Sequence, residues 1–283
     1  MKLVAYSQAA ETSWGVLVDG KIIDGRSLFG GKVRNIRELF AEGLVPELLH
    51  SIRRATATLP LDQIRIEKPI HPACKLICVG LNYGEHVAEA GREANLRHPS
   101  IFIRVAESVV AHDAPLIMPQ VSREYDFEGE LAVVIGKAGR KVERKDAADL
   151  IAGYTCFNDG SIRDYQRQSV TAGKNFYCTG AIGPWIVTAD EFADDPEFEL
   201  KTAVSGVVMQ HDTTRSMISD IPELISYVSS IMPLDVGDII ATGTPAGVGL
   251  GRTPPRWLVA GDDVEVEISG IGVLRNRVVA DSQ

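Results

Sequence analysis

The 283-residue sequence lacks the features that mark membrane proteins and nucleic-acid-binding proteins. No stretch approaches the run of about 20 apolar residues that a membrane-spanning helix needs. Residues 1–6 (MKLVAY) soon give way to polar positions, without the apolar run of a signal peptide. No block rich in lysine and arginine occurs, and the net charge is −9. We therefore expect a cytoplasmic protein that binds neither nucleic acid nor an anionic membrane surface.

Cysteine is scarce, and the familiar cysteine and glycine motifs are missing. Cys74 and Cys78 flank an apolar run and have no second pair at zinc-site spacing, so we expect free thiols in a strand core. The glycine-rich residues 243–251 (GTPAGVGLG) lack both the Lys-Ser/Thr ending of a phosphate-binding loop and the spacing of a dinucleotide-binding turn. This segment is either a plain turn cluster or a loop that brings backbone N–H groups and Thr244 close to a substrate.

The order of predicted elements suggests two parts. Hydrophobic residues make up 45% and charged residues 24% of the chain, which is ordinary for a globular protein. Residues 1–70 predict a small N-terminal α/β module, with strands at 2–6 and 14–18, helices at 33–40 and 46–57, and a proline-marked end at 69–72. Residues 71–283 form the second predicted domain.

Short strands dominate this second domain. They are predicted at residues 76–81, 100–104, 131–135, 182–187, 202–208, 238–242 and 264–268. The predicted helices are few, at residues 84–90, 147–150, 161–169 and 221–232. Because strands and helices do not alternate as in a doubly wound sheet, the pattern indicates an α+β fold that is mainly β, with loops gathered around one site.

Three carboxylates stand at alternate positions in residues 125–136 (YDFEGELAVVIG). In a strand, Asp126, Glu128 and Glu130 share one face, because alternate side chains point the same way. A hard cation such as Mg²⁺, Mn²⁺ or Ca²⁺ takes oxygen ligands and removes the repulsion between these charges. A solvated acidic face on an edge strand explains the spacing equally well. The spacing alone leaves both alternatives open.

A second candidate group follows the strand at residues 76–81. His86 and Glu89 are three positions apart, so they lie on one face of the predicted helix. A carboxylate beside an imidazole fixes the orientation of the ring and raises its basicity, which suits a pair that deprotonates water. The alternative is an exposed ion pair worth about 0.2–0.5 kcal/mol.

Residues 155–166 (TCFNDGSIRDYQ) carry a third group where a strand gives way to a helix. Arg163 and Gln166 follow Asp159 at four and seven positions, so the three side chains are expected on one helical stripe. That combination suits joint binding of a metal and an oxyanion. Asp159 is alternatively a helix cap, and Lys174 is alternatively an ordinary surface lysine.

Taken in chain order, these motifs resemble the fumarylacetoacetate hydrolase family over residues 70–279. The matching segments are 82–89 with Asn82, Tyr83, His86 and Glu89, then 126–131 (DFEGEL), 158–166 (NDGSIRDYQ), 173–174 (GK), 237–245 (GDIIATGTP), 261–263 (GDD) and 270–272 (GIG). The ordered set is specific, and it favours the metal interpretation of the acidic strand.

The resemblance implies a fold and a metal site. The expected core is a mixed β-sandwich or roll, usually assembled as a homodimer. Glu128, Glu130 and Asp159 are implied as ligands of one Mg²⁺ or Mn²⁺, with Ca²⁺ also compatible with oxygen ligands. Asp126 matches the motif and is expected beside the metal.

The resemblance also implies roles for the remaining candidates. His86 and Glu89 match a catalytic pair carried on a lid, and Lys174 matches a catalytic position. Arg163, Gln166 and Thr244 match positions that contact the substrate.

Two departures from the family pattern stand out, and the second, residues 209–211 (MQH), lies in a segment that members fill variably and assigns no substrate. Arg104 stands where many members carry lysine. Because arginine binds carboxylates in a bidentate fork, we expect it to contact a different substrate tail.

The implied substrate is a small 2-oxo acid. The first hypothesis is hydrolysis of the C–C bond of a 2,4-dioxo acid, of the acylpyruvate or fumarylpyruvate type, to pyruvate and a carboxylic acid. Oxaloacetate decarboxylation and isomerisation of a 2-hydroxymuconate-type diacid are alternatives on the same metal-enolate site. A non-catalytic, metal-stabilised binding protein is a further alternative, which His86, Glu89 and Lys174 argue against.

The resemblance predicts a homodimer. Light scattering at micromolar concentration is expected to give about twice the monomer mass of 30.7 kDa. A measured mass near that of the monomer would contradict the prediction.

Overall fold

The computed structural model describes residues 1–9, 11–70, 75–91 and 98–282. Its strands are β1 (Lys2–Gln8), β2 (Glu11–Val18), β3 (Lys21–Asp24), β4 (Leu59–Pro60), β5 (Arg65–Ile66), β6 (Leu76–Gly80), β7 (Ser100–Arg104), β8 (Val109–Val110), β9 (Leu116–Met118), β10 (Tyr125–Asp126), β11 (Gly129–Ile135), β12 (Ile151–Asn158), β13 (Ser161–Ile162), β14 (Gly180–Thr188), β15 (Glu199–Val204), β16 (Val207–Thr213), β17 (Ile239–Ala241), β18 (Asp263–Ile268) and β19 (Gly272–Ala280). Its α-helices are α1 (Gly25–Leu28), α2 (Ile36–Ala41), α3 (Val45–Ile52), α4 (Gly84–Glu89), α5 (Arg163–Gln166), α6 (Val170–Lys174) and α7 (Ile221–Ile231).

Two open, mixed sheets carry the fold. The larger sheet has the strand order β4-β3-β2-β1-β14-β12-β11-β17-β6-β7, with β5 added to β1 and β8 to β14. The smaller sheet has the order β16-β15-β18-β19-β9, and β10 pairs with β13 in a separate short ladder. Most pairs are antiparallel, whereas β17 with β6, β14 with β8 and β19 with β9 are parallel. The predicted α+β, mainly β fold is confirmed.

Strand β11 lies at the centre of the protein and is buried on both faces. Its residues Leu131, Val133 and Ile135 belong to the core cluster that contains residues of the smaller sheet. Ala132 and Val134 point to the opposite face and join the cluster that contains residues of α2 and β2. A strand covered on both faces needs the continuous apolar run that this segment has, since no face is left for polar side chains.

The N-terminal strands continue the larger sheet. Leu3 of β1 pairs with Ile186 of β14, and Trp14 belongs to the same core cluster as Ile186 and Val134. The sheet therefore runs on from the part before residue 70 to the part after it. The division of the chain into domains at residues 70 and 71 stays a prediction.

The predicted acidic strand is interrupted, which corrects the expectation of one continuous element. Asp126 ends β10 and Gly129 begins β11, so the two residues between them lie outside the sheet ladders. Side-chain acceptors replace backbone partners there, because Phe127 N donates to Asp126 Oδ1 at 2.9 Å and Glu128 N donates to Asn158 Oδ1 at 3.1 Å.

Two more predicted elements divide. The helix predicted at 161–169 begins only at Arg163, because the two preceding residues pair with β10, and Ser169 then caps α6. The strand predicted at 202–208 is a hairpin, since Ser205 (φ 49°) and Gly206 (φ 81°) make the turn between β15 and β16.

Three further predictions concern the helix at 46–57, the cysteines Cys74 and Cys78, and membrane-spanning helices. The helix predicted at 46–57 is the shorter α3. Cys78 is a buried free thiol in β6 as expected, whereas Cys74 lies outside the described residues. None of the described helices is long and apolar enough to cross a membrane.

Candidate active site

The three predicted ligand carboxylates meet where β11 and β12 pair. Gly129 lies opposite Asn158 in this antiparallel pair, so Glu128 and Asp159 are neighbours, and Asp159 N donates to Glu128 O at 2.8 Å. One carboxylate oxygen from each of Glu128, Glu130 and Asp159 lies within 4.8 Å of the others. All three side chains are buried, so the solvated-face alternative is wrong.

Two buried cations lie against this cluster. Lys174 Nζ is 2.5 Å from both Glu128 Oε2 and Asp159 Oδ2. Arg163 Nη2 is 2.5 Å from Glu128 Oε1 and 2.8 Å from Asp126 Oδ2. Burial would raise the pKa of Glu128, yet the Arg163 and Lys174 charges outweigh burial and hold that pKa well below its ordinary value. Lys174 is therefore a buried member of the site, and the surface alternative is wrong.

Glu130 is the carboxyl of the cluster that forms an ion pair with neither Lys174 nor Arg163. Burial and the neighbouring Asp159 and Glu128 charges raise the pKa of Glu130 well above its ordinary value. Within the described residues it forms no ion pair, and it accepts a hydrogen bond from Gly243 N at 3.0 Å. A divalent cation fits this arrangement, because hard cations prefer oxygen ligands and would neutralise the excess negative charge.

Arg104 lies behind Asp159 and away from the cavity wall, which differs from the expected substrate contact. Its Nη1 is 2.6 Å from Asp159 Oδ1 and also donates to Gly160 O at 2.9 Å. Its other nitrogens donate to Ser108 and Thr179. One nitrogen of the guanidinium does bind a carboxylate, but that carboxylate belongs to the protein.

The His86–Glu89 pair lines the same cavity, of about 340 Å³, as the three carboxylates. His86 is 7% exposed, so the alternative of an exposed surface pair is wrong. His86 Nδ1 is 3.3 Å from Glu89 Oε2. Gly247 N donates to both Glu89 oxygens at 3.1 Å. Because an ionised carboxylate only accepts hydrogen bonds, this contact places the proton on Nδ1 and leaves Nε2 as the basic nitrogen.

The remaining predicted contacts divide into two kinds. Arg163, Gln166 and Thr244 all line the cavity. Gln166 Oε1 accepts from Arg163 Nη1 at 2.8 Å, so its amide N–H groups are the donors left for a ligand. Thr244 Oγ1 donates to Gly129 O at 2.9 Å, so its hydroxyl proton is already committed to the protein. Asp159 does not share the Arg163–Gln166 helix, which corrects the predicted stripe of three.

Gln210 has no role predicted from the sequence, and the structure places it against the glycine-rich loop. Gln210 Nε2 donates to Thr244 Oγ1 at 2.7 Å and to Pro245 O at 2.8 Å, and Oε1 accepts from Gly129 N at 2.9 Å. The available signal was one inward-facing polar residue in an otherwise half-exposed strand. This side chain fixes the loop against the start of β11.

Asp126 proves to organise a loop and lies outside the three-carboxylate cluster. Its Oδ1 accepts from Gly249 N at 2.7 Å, and its Oδ2 accepts from Leu250 N at 3.0 Å and from Arg163 Nε at 2.8 Å. The glycine-rich segment is a loop whose backbone N–H groups bind carboxylates of the protein, and its contact with a substrate stays a prediction.

Comparisons with known proteins find one family and several similar chains. Residues 75–279 match the family model described as Fumarylacetoacetate (FAA) hydrolase C-terminal. The chain is 40% identical over 223 residues to the oxaloacetate tautomerase YisK of Bacillus subtilis, covering 77% of this chain and 74% of that protein. It is 40% identical over 242 residues to the mitochondrial oxaloacetate tautomerase FAHD2A of Bos taurus, covering 82% and 76%.

A solved structure with a bound metal is also similar. The crystal structure of maleylpyruvate hydrolase from Sphingobium sp. SYK-6, in complex with manganese(II) and pyruvate, matches with a TM-score of 0.84 and 29% identity, covering 100% of both chains.

Two matched substitutions test the metal site. Glu128→Gln and Glu130→Gln are both expected to remove the stabilisation by Mg²⁺ or Mn²⁺, which is about 2.7 kcal/mol at a hundredfold excess over Kd. In metal-free protein the two should differ. Glu128→Gln leaves Lys174 and Arg163 under-compensated and lowers the free energy of unfolding by about 3–5 kcal/mol. Glu130→Gln replaces a carboxyl whose raised pKa already favours the neutral form, so it does not lower the free energy of unfolding.

Denaturant unfolding in EDTA and in excess metal measures both effects. A full metal response in either variant would contradict the ligand assignment. A metal-free Glu130→Gln protein less stable than Glu128→Gln would contradict the charge balance.

Proposed function

The chain belongs to the fumarylacetoacetate hydrolase family of enzymes, and we propose that it is a divalent-metal-dependent enzyme that enolises 2-oxo-dicarboxylic acids, with oxaloacetate keto–enol tautomerisation as its reaction. One observation carries the proposal: the His86–Glu89 pair and the three-carboxylate cluster line one small cavity. The similarity to two oxaloacetate tautomerases supports this substrate.

Glu128, Glu130 and Asp159 would hold the metal, for which Mn²⁺ and Mg²⁺ are the proposed ions. When bound there, it supplies a Lewis acid and template for the 1-carboxylate and 2-oxo group of the substrate. Manganese in the similar maleylpyruvate hydrolase structure supports the choice of ion.

The side chains of this protein then move one proton. His86 Nε2 takes a proton from C3 of the keto acid and returns one to the 2-oxygen, or the reverse, so no water is consumed. Glu89 stabilises the imidazolium that forms between the two transfers. Lys174 and Arg163 supply positive potential while negative charge builds on the 2-oxygen. The free amide N–H groups of Gln166 are proposed to bind a substrate carboxylate.

Hydrolysis of an acylpyruvate is the second candidate, and the same His86–Glu89 pair favours it. In that reaction His86 deprotonates water, hydroxide adds to the 4-carbonyl and the C3–C4 bond breaks, giving pyruvate and a carboxylic acid. The similarity to maleylpyruvate hydrolase supports this alternative.

A panel of assays on metal-loaded protein tests the function. Oxaloacetate keto–enol exchange is followed by the ultraviolet absorbance of the enol, with pyruvate measured in parallel to detect decarboxylation and acylpyruvate hydrolysis. We expect fast tautomerisation that EDTA abolishes and Mn²⁺ or Mg²⁺ restores. Pyruvate release from acylpyruvates without tautomerisation would establish the hydrolase instead. Full activity in metal-free protein would overturn the metal requirement.

His86→Ala separates the reactions that need a base from the one that does not. Tautomerisation and acylpyruvate hydrolysis are expected to fall by about 10²–10⁴-fold, the usual cost of losing a general base. Oxaloacetate decarboxylation should fall less, because it needs no proton removal, and metal affinity should be unchanged.

His211→Ala is the matched control, since His211 forms an exposed pair with Glu199 at 2.5 Å. It should leave every activity unchanged. An equal loss of all activities in His86→Ala would mean that His86 positions the substrate and is not the base.

A further inference from the structure

We infer that residues 247–251 of the glycine-rich loop hold the Glu89 carboxylate in one orientation, and we call this contact surface the seat of Glu89. Gly247 and Gly251 are then positioning residues for the His86–Glu89 pair. The inference rests on the proposed function only for its kinetic test. Neither glycine contributes a side chain to the chemistry. Their role is to hold a carboxylate that belongs to another element, α4.

The first contact is a backbone hydrogen bond. Gly247 N lies 3.1 Å from each Glu89 oxygen, so one N–H group is shared by the whole carboxylate. With His86 Nδ1 as its sole partner, at 3.3 Å, the carboxylate would remain free to turn about its last torsion. The second donor fixes that torsion, and with it the plane in which the imidazole is held.

The second feature is steric, because only glycine at position 251 leaves room for the Glu89 side chain. A Cβ atom on Gly251 would lie 2.0 Å from Glu89 Oε1, 2.1 Å from Cδ and 2.2 Å from Cγ. These separations are far inside van der Waals contact, which for carbon atoms is about 3.5–4.0 Å. Gly251 does not have a positive φ, so its backbone suits any residue. Glycine is therefore required at position 251 by the room that Glu89 occupies.

The loop is anchored and does not move aside easily. Asp126 accepts from Gly249 N at 2.7 Å and from Leu250 N at 3.0 Å. Arg252 Nη2 donates to Met209 O at 2.7 Å on the other side. Because Asp126 also holds Arg163, one loop fixes the cationic wall of the cavity and the catalytic pair relative to each other. A side chain at position 251 must therefore displace Glu89.

Gly251→Ala tests the seat. We expect kcat to fall by about 10²-fold, the scale for displacing a catalytic group by about 1 Å. KM and metal affinity should change much less, because the ligand carboxylates do not contact Gly251. Gly84→Ala is the control, since a Cβ on Gly84, in the same helix as Glu89, meets no heavy atom within 4 Å. It should leave kcat unchanged.

A double-mutant cycle distinguishes displacement of Glu89 from general damage to the loop. In a Glu89→Ala background the added methyl group has no carboxylate to displace, so Gly251→Ala should cost less than about twofold more. An equal fold-loss in both backgrounds would overturn the inference, and so would full activity in Gly251→Ala alone.

Hydrogen exchange of the Gly247 amide gives a measurement that needs no substrate. Exchange at this amide should quicken in Glu89→Ala and in Gly251→Ala, and should stay as in the unaltered protein in Gly84→Ala. Unchanged exchange in Glu89→Ala would overturn the seat. If the unaltered protein turns over no 2-oxo acid, the proposed function fails, and the exchange measurement alone decides whether the seat exists.

Discussion

A buried cluster of opposite charges is the interaction on which the rest of the structure depends. Its described members are four carboxylates and three cations: Asp126, Glu128, Glu130, Asp159, Arg104, Arg163 and Lys174. Charges out of water are costly unless each is paired and hydrogen-bonded, so the surrounding elements must hold these groups in fixed positions. The pairing of β11 with β12 does this for the carboxylates, and the apolar packing on both faces of β11 makes that pair rigid. With all seven groups ionised, the cluster carries one excess negative charge, which a bound hard cation would neutralise.

The charge cluster and the His86–Glu89 pair are connected through backbone. Asp126 of the charge cluster accepts a hydrogen bond from Gly249 N of the glycine-rich loop, and Glu89 of α4 accepts one from Gly247 N. The proposed proton transfer by His86 and Glu89 needs a fixed distance between this pair and the charge cluster. Backbone N–H groups hold that distance without adding a titratable group. Beneath the loop, Gln210 provides a third point of support.

The sequence predicts the three clustered carboxylates well and their surroundings poorly, for a physical reason. Glu128 and Glu130 are recognisable because strand alternation is local, and the order of motifs along the chain adds Asp159, His86 and Lys174. The break after Asp126 depends on Asn158, which supplies the replacement acceptor to Glu128 from 30 residues further along the chain. The seat of Glu89 depends on Gly247, 158 residues away. Such contacts form only when the sheets have assembled, so no local sequence pattern predicts them.

Strand β7 lies at the edge of the larger sheet, and this position determines which residues of the cavity wall can be substituted with little effect on the sheet. Ser100 and Phe102 of this strand face the cavity, as does Val170 of the neighbouring α6, and β7 has one sheet neighbour where β11 has two. Substitutions on an edge strand disturb few partners. Ser100 and Val170 at the rim can therefore change with little effect on the buried charges. Phe102 differs, because the centre of its ring lies 5.5 Å from Lys174 Nζ. A changed rim would let the cavity take a different substrate tail while Arg104, at the end of the same strand, keeps its contact with Asp159.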